Sequence, residues 1–340
     1  IHWEEVAQTN IGFDASLFNS RVMFSFDAYL KETRDMLVKA SIPITSGFED
    51  TTTTYTNAGK VRNQGIEMSL HTINLTGELG WETNLTATYN KNKIKDLNSD
   101  VPYYINQINN SYVTMLAKDY PINVFYGYVT DGIFQNQSEV NTHAVQPGAE
   151  PGDIRFIDQN GDGMLDTNDR VKVGSGTPKV SLGFNINLAY KDFDLVANFY
   201  GDFGAKRYNY TKYQLERMDH VFNYGKNALN AWTPENPDTD IPRAVSGDPN
   251  KNSRTSTRFV ENGDYLRLNN LQIGYNLPVK YCKKMGLSNL RIYVGATRLF
   301  TITNYKGYDP STGSSVGQMG YDYAAIPLSR DFMMGLKFGF

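Results

Sequence analysis

An acidic loop between residues 158 and 169 has the side chains and the spacing that could hold a metal ion. Oxygen donors fall at loop positions one, three, five, seven, nine and twelve, which is the pattern of an EF-hand-type calcium loop. Gly163 stands at position six, where the loop must turn sharply, and Asp169 stands at position twelve, where a Glu is usual. The predicted ligands of a Ca²⁺ ion are Asp158, Asn160, Asp162, the backbone carbonyl of Met164, Asp166 and Asp169.

The segments on either side of this loop, 153–157 and 170–173, have the composition of short strands rather than of EF-hand helices. A bound ion would therefore have a structural role, as a pin for a long loop, and no adjacent His suggests a catalytic metal. The alternative is an Asx-rich turn, in which the same side chains accept hydrogen bonds from the loop's own backbone. The sequence leaves both interpretations open.

The other chemistry-bearing residues form no recognisable catalytic set. The four histidines are scattered without H-x-x-x-H spacing, and the sequence contains neither a Walker loop nor a nucleophile elbow. The single Cys282 excludes an intrachain disulfide and is predicted to be an inert packing or surface residue. The 33 basic and 36 acidic residues give a net charge of −3, which gives no reason to expect nucleic acid binding. We therefore predict that the protein is not an enzyme.

Aromatic residues are abundant, with 23 Tyr, 18 Phe and 3 Trp, and many of them fall in segments that are predicted to be loops. Aromatic faces stack on sugar rings, and neighbouring Asn, Asp and Arg side chains bond hydroxyl groups, so a role in ligand binding is chemically reasonable. The alternative is that these side chains pack the loops together. The residues predicted to contact a substrate are Tyr126, Tyr128, Tyr208, Trp232 and Tyr308.

The elements that must position these loops are strands of alternating polarity. At the carboxy terminus Met334, Leu336, Phe338 and Phe340 share one face of an extended strand, opposite small or polar residues. The same alternation, clear or weaker, predicts about nine strands, most of them longer than the five or six residues usual in a soluble sheet. The predicted strands cover 3–17, 21–31, 61–74, 81–90, 180–190, 193–203, 264–277, 289–302 and 328–340.

Short and long connections alternate strictly between these strands. The long ones cover 39–58, 96–178, 207–262 and 303–327, and the short ones lie between them. Outer-membrane barrels have tight periplasmic turns and long external loops, whereas a β-sandwich, the alternative, has no reason to sort its loops in this way. No run of ~18 apolar residues suggests a membrane helix. The sequence predicts an all-β, transmembrane antiparallel β-barrel with long structured extracellular loops.

The odd number of predicted strands bears on whether they form a whole barrel. If the first turn is periplasmic, the first and ninth strands both descend, yet single-chain bacterial barrels have an even number of strands. We therefore expect residues 1–340 to be the carboxy-terminal part of a larger barrel.

Several sequence blocks carry a family resemblance, and they occur in the same order from end to end of the chain. One is Asn57-Ala-Gly-Lys-Val-Arg-Asn-Gln-Gly-Ile-Glu67, and the others lie at 3–12, 125–134, 151–163, 263–271 and 299–310. Together they resemble the second half of SusC/RagA-type TonB-dependent transporters of the bacterial outer membrane.

The resemblance implies a 22-stranded barrel whose plug domain and amino-terminal strands are not in this chain. It also implies that TonB supplies energy and that a SusD-like surface lipoprotein caps the barrel and delivers oligosaccharides or peptides. The expected function is active import of such oligomers across the outer membrane, in contact with its lipid. A passive porin or an adhesion or structural barrel is the alternative.

Overall fold

The computed structural model describes residues 1–41, 53–57, 59–97, 103–108, 111–219, 223–311 and 319–340. The strands in chain order are β1 (Glu5–Leu17), β2 (Val22–Arg34), β3 (Leu37–Ser41), β4 (Thr53–Asn57), β5 (Lys60–Leu75), β6 (Leu79–Asp96), β7 (Tyr103–Ile108), β8 (Ser111–Leu116), β9 (Val124–Gly127), β10 (Thr130–Ile133), β11 (Ile154–Phe156), β12 (Val171–Ser175), β13 (Val180–Tyr190), β14 (Phe193–Phe203), β15 (Lys206–Asn209), β16 (Val260–Asn262), β17 (Tyr265–Asn276), β18 (Asn289–Thr303), β19 (Tyr321–Asp322) and β20 (Asp331–Gly339). The α-helices are α1 (Gln137–Thr142), α2 (Tyr210–Glu216) and α3 (Val279–Lys284), and 3₁₀ turns cover Thr167–Asp169, Lys226–Asn230 and Thr257–Phe259.

One antiparallel sheet of nine strands forms the frame of the molecule, in the order β1-β2-β5-β6-β13-β14-β17-β18-β20. These are the nine strands predicted from alternation, and the bounds of β13 and β14 agree with the prediction at both ends. Every strand pairs with its neighbour among the nine, as in an up-and-down meander. The prediction of a long-stranded antiparallel sheet is confirmed, and the β-sandwich alternative is wrong because these strands form one continuous sheet.

Strand register places apolar and polar residues in separate rows across the sheet. Partners directly opposite each other in a ladder point to the same face, so a row of partners marks one face. One row is apolar throughout and contains Trp81, Leu188, Leu195, Ile273, Val294 and Met334. A row on the opposite face is polar and contains Asn84, Asn185, Asn198, Asn270 and Thr297. The predicted assignment of residues to two faces is therefore consistent along five strands.

The connections follow the predicted alternation of short and long. Residues 18–21, 76–78, 191–192 and 277–288 link neighbouring strands at one end of the sheet, and the last of these carries α3. The described parts of the long connections, 35–59, 97–179, 204–264 and 304–330, lie at the other end, and the smaller strands are located there. β1 and β20 are the two edges of the sheet, which is not closed within the described residues. No described helix is both long and apolar enough to cross a membrane.

The largest buried apolar clusters lie in the long connections and not between layers of the main sheet. One contains Val113, Phe125, Tyr208, Tyr213 and Phe259, and another contains Tyr128, Ile133, Ile154, Phe156, Leu165 and Trp232. Strands of the four-stranded sheet (β12-β9-β8-β7) and of the three-stranded sheet (β16-β15-β19) contribute residues to the first cluster, and the paired strands β10 and β11 contribute residues to the second. The long connections therefore form a folded layer with its own cores.

Candidate functional site

A buried ion pair joins two of the long connections. Asp153, which is fully buried, accepts hydrogen bonds from Nε and Nη2 of Arg243, both at 3.0 Å, and from Nδ2 of Asn252 at 2.8 Å. Its Oδ2 also accepts from the backbone N–H of Glu150 at 2.9 Å. A buried carboxylate is stabilised only when its oxygens are paired in this way. The pair fixes the position of 204–264 relative to 97–179.

A network of buried amides continues this junction. Nδ2 of Asn250 donates to the Ile154 carbonyl at 3.1 Å and to Oδ1 of Asn252 at 2.7 Å, and the same Oδ1 accepts from the Ile154 N–H at 2.8 Å. Gln146 completes the network, since its Nε2 donates to the Ile154 carbonyl and its Oε1 accepts from the Phe156 N–H. These side chains satisfy both backbone groups of Ile154, so the two loops act as one scaffold.

A second buried ion pair joins the loops to the wall of the sheet. Nη2 of Arg267, on β17, donates to Oδ1 of Asp309 at 2.7 Å, and both side chains are almost completely buried. Nearby, Arg207 donates to the Pro310 carbonyl and to the Gly176 carbonyl. Arg267 and Asp309 belong to two different sequence blocks of the family resemblance. The pair therefore connects two of these blocks in the folded chain.

The folded loops enclose a cleft of about 860 Å³, which we call the loop cleft. Its three arginines are already engaged: the guanidinium of Arg254 lies 4.8 Å from the ring centre of Tyr128, Arg170 donates to two carbonyls, and Arg217 pairs with Asp219. The lining residues include Tyr112, Tyr128, Asp166, Arg170, Tyr213, Arg217, Asp219, Asp248, Lys251 and Arg254. The cleft therefore offers aromatic faces and charges of both signs, which suit a polar oligomer with an apolar component.

The five aromatic residues predicted to contact substrate have different environments. Tyr208 is fully buried in a loop core, and Trp232 is 9% exposed with its Nε1 donating to Gln135 at 2.9 Å. For these two the packing alternative explains the side chain without a ligand. Tyr126 packs on a small core of Met115, Ala117 and Val124 and lies under the guanidinium of Arg170.

Tyr128 and Tyr308 are the two predicted aromatics that line clefts. Tyr128 is 8% exposed, belongs to a loop core and forms part of the wall of the loop cleft. Tyr308 is 64% exposed and lines a separate cleft of about 390 Å³ together with Lys212, Lys226 and Lys306. Of the five residues, Tyr308 is the one whose ring is most accessible to a ligand. Contact with a substrate stays a prediction for both.

The predicted calcium loop is ordered by hydrogen bonds from its own backbone. Asp158 accepts from the N–H groups of Gly161 and Gly163 at 2.7 and 2.8 Å, and these hydrogen bonds, above all the one from Gly163, lower the pKa of Asp158. Oδ1 of Asn160 accepts from Asp162, and Oδ1 of Asp162 accepts from Met164. This is the arrangement of the Asx-turn alternative.

Asp169, at position twelve, is fully buried and uses both carboxylate oxygens within the loop. Oδ1 accepts from the Gln159 N–H at 2.8 Å, and Oδ2 accepts from the Asp166 N–H at 2.7 Å in a capping box. Among the described residues no three His, Cys, Asp or Glu side chains converge as a metal site. Ca²⁺ binding by this loop stays a prediction, while the Asx-turn geometry already explains the order of the loop.

Sequence reasoning missed the residues that join the loops. Gln146, Asn250 and Asn252 lie in segments of ordinary turn composition, and only their burial shows their role. A partial signal existed for Asp153 and Arg267, because both lie within the blocks of the family resemblance. Cys282 was predicted to be inert, and it is fully buried in α3 with its Sγ donating to the Leu277 carbonyl at 3.3 Å.

Comparison with known proteins identifies the family. The model of the TonB dependent receptor-like β-barrel matches residues 1–304. Over its whole length the chain is 34% identical to TonB-dependent receptor P3 of Formosa agariphila and 27% identical to TonB-dependent receptor SusC of Bacteroides thetaiotaomicron, and it covers 34% and 32% of those proteins. A solved structure of the RagAB peptide importer in its closed-closed state matches 100% of the chain with a TM-score of 0.81 and 27% identity, and 36% of that structure is covered.

The chain belongs to the TonB-dependent receptor β-barrel family, and it resembles SusC and RagA as the sequence blocks predicted. Members of this family lie in the outer membrane, so the apolar rows of the sheet face lipid. The chain spans about a third of the length of the curated relatives it matches.

Proposed function

We propose that this member of the TonB-dependent receptor family forms nine strands of a larger barrel that actively imports oligomeric nutrients. Two observations support the larger barrel: the sheet has two open edges, and relatives are about three times as long. The observation that carries the import function is the likeness to the RagAB peptide importer, which extends along the whole chain, long connections included. Membership in a receptor family also argues against an enzyme.

We place the long connections on the extracellular side, because external loops are the long ones in outer-membrane barrels. A SusD-like surface lipoprotein seated on them is the proposed partner, and TonB is the proposed source of energy. Exposed apolar side chains on these connections favour a protein partner, among them Leu229 at 84%, Ile326 at 90% and Tyr323 at 63% exposure.

The proposed ligand is an oligosaccharide or a peptide that passes the loop layer. The loop cleft and the Tyr308 cleft combine tyrosine rings with charged groups, and both classes of oligomer require such mixed surfaces. RagAB is a peptide importer, and the likeness to it favours a peptide ligand. Tyrosine rings that stack on sugars suit an oligosaccharide equally well.

The test uses the full-length protein with its lipoprotein partner in living cells. Cells receive a defined mixture of short peptides and oligosaccharides, and mass spectrometry follows depletion of each component from the medium. Uptake should require TonB and should fall for Tyr308→Ala. Tyr281→Ala, which removes an exposed ring on α3 at the opposite end of the sheet, is the matched control and should leave uptake unchanged. Uptake that persists at full rate without TonB would support the passive porin instead.

A further inference from the structure

A third pocket, of about 460 Å³, lies where the loop layer meets the rim of the sheet. We call it the lysine pocket, because Lys91, Lys93, Lys172 and Lys179 all line it. The chain as a whole has a net charge of −3, so this concentration of positive charge is a local feature. Tyr89, Asp119, Ser175 and Thr177 are also part of the lining.

The pocket lies at the outer boundary of the lipid-facing band. On β6 the lipid-facing residues Trp81, Leu85 and Tyr89 are followed, on the same face, by Lys91 and Lys93. The ladder partners of β6 change from apolar to polar residues at the same position. Tyr89 stands opposite Val180 and Ile66, whereas Lys91 and Lys93 stand opposite Gln64 and Arg62. Aromatic girdles mark such boundaries in membrane barrels, so the lysines begin where lipid headgroups begin.

The positive charge of the pocket is largely uncompensated. Lys93 pairs with Asp119 at 2.7 Å, and Asp119 is the one carboxylate in the lining. In the part of the chain that the structure describes, no ion pair joins Lys91, Lys172 or Lys179 to an acidic group. Burial lowers the pKa of Lys172, and the nearby charge of Lys179 lowers this pKa further. Lys172 and Lys179 line the same pocket, so a bound anion would offset the repulsion between their ammonium groups.

We propose that the lysine pocket binds a phosphate group on the headgroup of an outer-leaflet glycolipid. A phosphate carries up to two negative charges, and lysine ammoniums bind it as point charges without strict geometry. The outer leaflet of outer membranes contains phosphorylated glycolipids, and basic pockets beside membrane-spanning segments are known to hold anionic headgroups. Tyr89, 46% exposed, lies directly below the lysines, where the sugars and the acyl chains of such a lipid meet.

This site is distinct from the loop cleft, which has a different lining. It depends on the proposed extracellular position of the long connections but not on import. A result that excludes lipid binding would therefore not contradict the import proposal. A result that shows passive transport would not contradict the lipid site.

The test compares lipid retention by the purified full-length protein and by two charge variants in detergent. The first variant carries Lys91→Gln, Lys172→Gln and Lys179→Gln. The second, Lys280→Gln, Lys283→Gln and Lys284→Gln, removes the same charge from exposed positions on α3 at the opposite end of the sheet. The probes are diphosphoryl lipid A, its dephosphorylated form and inorganic phosphate, each quantified as bound ligand by native mass spectrometry.

The unmodified protein and the α3 variant should retain phosphorylated lipid, and the dephosphorylated form should bind more weakly. Each lysine near an anionic headgroup contributes roughly fivefold in affinity, so the pocket variant should lose roughly a hundredfold. The contrast between the two lipids on the unmodified protein keeps the test valid if the pocket variant folds poorly. Equal retention of both lipids, equal losses in the two variants, or binding of inorganic phosphate without binding of the lipid would each overturn the proposal.

Discussion

Two neighbouring residues of β13 offer a test of which face of the sheet meets lipid. Phe184 lies near the middle of the strand, opposite Leu85 and Phe199, and its ring centre is 6.4 Å from that of Phe199. Phe184→Arg places a charge at mid-bilayer, which costs ~2–4 kcal/mol, and it removes an aromatic contact of ~0.5–1.5 kcal/mol. We expect a total loss of about 3–5 kcal/mol in the free energy of folding into lipid.

Asn185→Arg adds the same charge one residue further along, on the opposite face. Its ladder partners are Asn84 and Asn198, whose Oδ1 atoms are buried without a hydrogen-bond partner among the described residues. An arginine at this position can donate to these oxygens, so the expected cost is within about 1 kcal/mol.

The assay is urea-dependent folding of the full-length protein into phospholipid vesicles. Folded barrel is separated from unfolded chain by the gel mobility of unheated samples. Equal losses for the two variants, or a larger loss for Asn185→Arg, would refute the assignment of faces.

Three further predictions concern the loop layer. Asp153→Ala leaves Asn252 and the Glu150 N–H without their acceptor and should destabilise 150–156 by about 3 kcal/mol, measured by hydrogen exchange. Glu150→Gln removes the exposed carboxylate that also pairs with Arg243 and should cost under about 1 kcal/mol. Burial raises the pKa of Asp309, but the hydrogen bonds from Ser311 and Arg267 outweigh it, and the folded pKa lies below the usual value of 3.8. The stabilisation from Asp309 is therefore present above about pH 4 and lost as the pH falls further. The rate at which pepsin cleaves 304–330 should rise below that pH, and this rise should be smaller in Asp309→Asn. If the loop at 158–169 binds Ca²⁺, chelation should accelerate its cleavage by protease and Asp162→Ala should abolish that effect, whereas an Asx turn alone predicts no response to chelation.

The strands were predictable because their signal is local. An extended chain exposes alternate residues to opposite faces, so a strand between lipid and a polar interior carries a period of two that can be read within about ten residues. The nine strands of the sheet and the sorting of the connections followed from this rule. The bounds agreed least for β6, which was expected at 81–90 but extends over Leu79–Asp96, and for β2 and β20, which were expected at 21–31 and 328–340 but cover Val22–Arg34 and Asp331–Gly339.

The interior of the loop layer was not predictable in the same way. Tyr208 and Tyr308 are both loop tyrosines in the sequence, yet one is fully buried in a core and the other is mostly exposed. Composition cannot separate them, because burial depends on which distant segments fold over each ring. Tyr208, for example, is packed against Phe125, more than 80 residues earlier, with ring centres 6.2 Å apart.

The sequence alone determined the class of fold, the number of strands, the face on which each apolar residue lies and the family, since each depends on local alternation or on ordered motifs. Only the tertiary structure decided which charges pair, where the clefts lie and which lysines share a pocket. Arg267 and Asp309 are 42 residues apart, and Asp153 and Arg243 are 90 residues apart. Such pairs meet because the register of the nine strands brings the ends of all long connections to one rim, and that register is a property of the whole sheet.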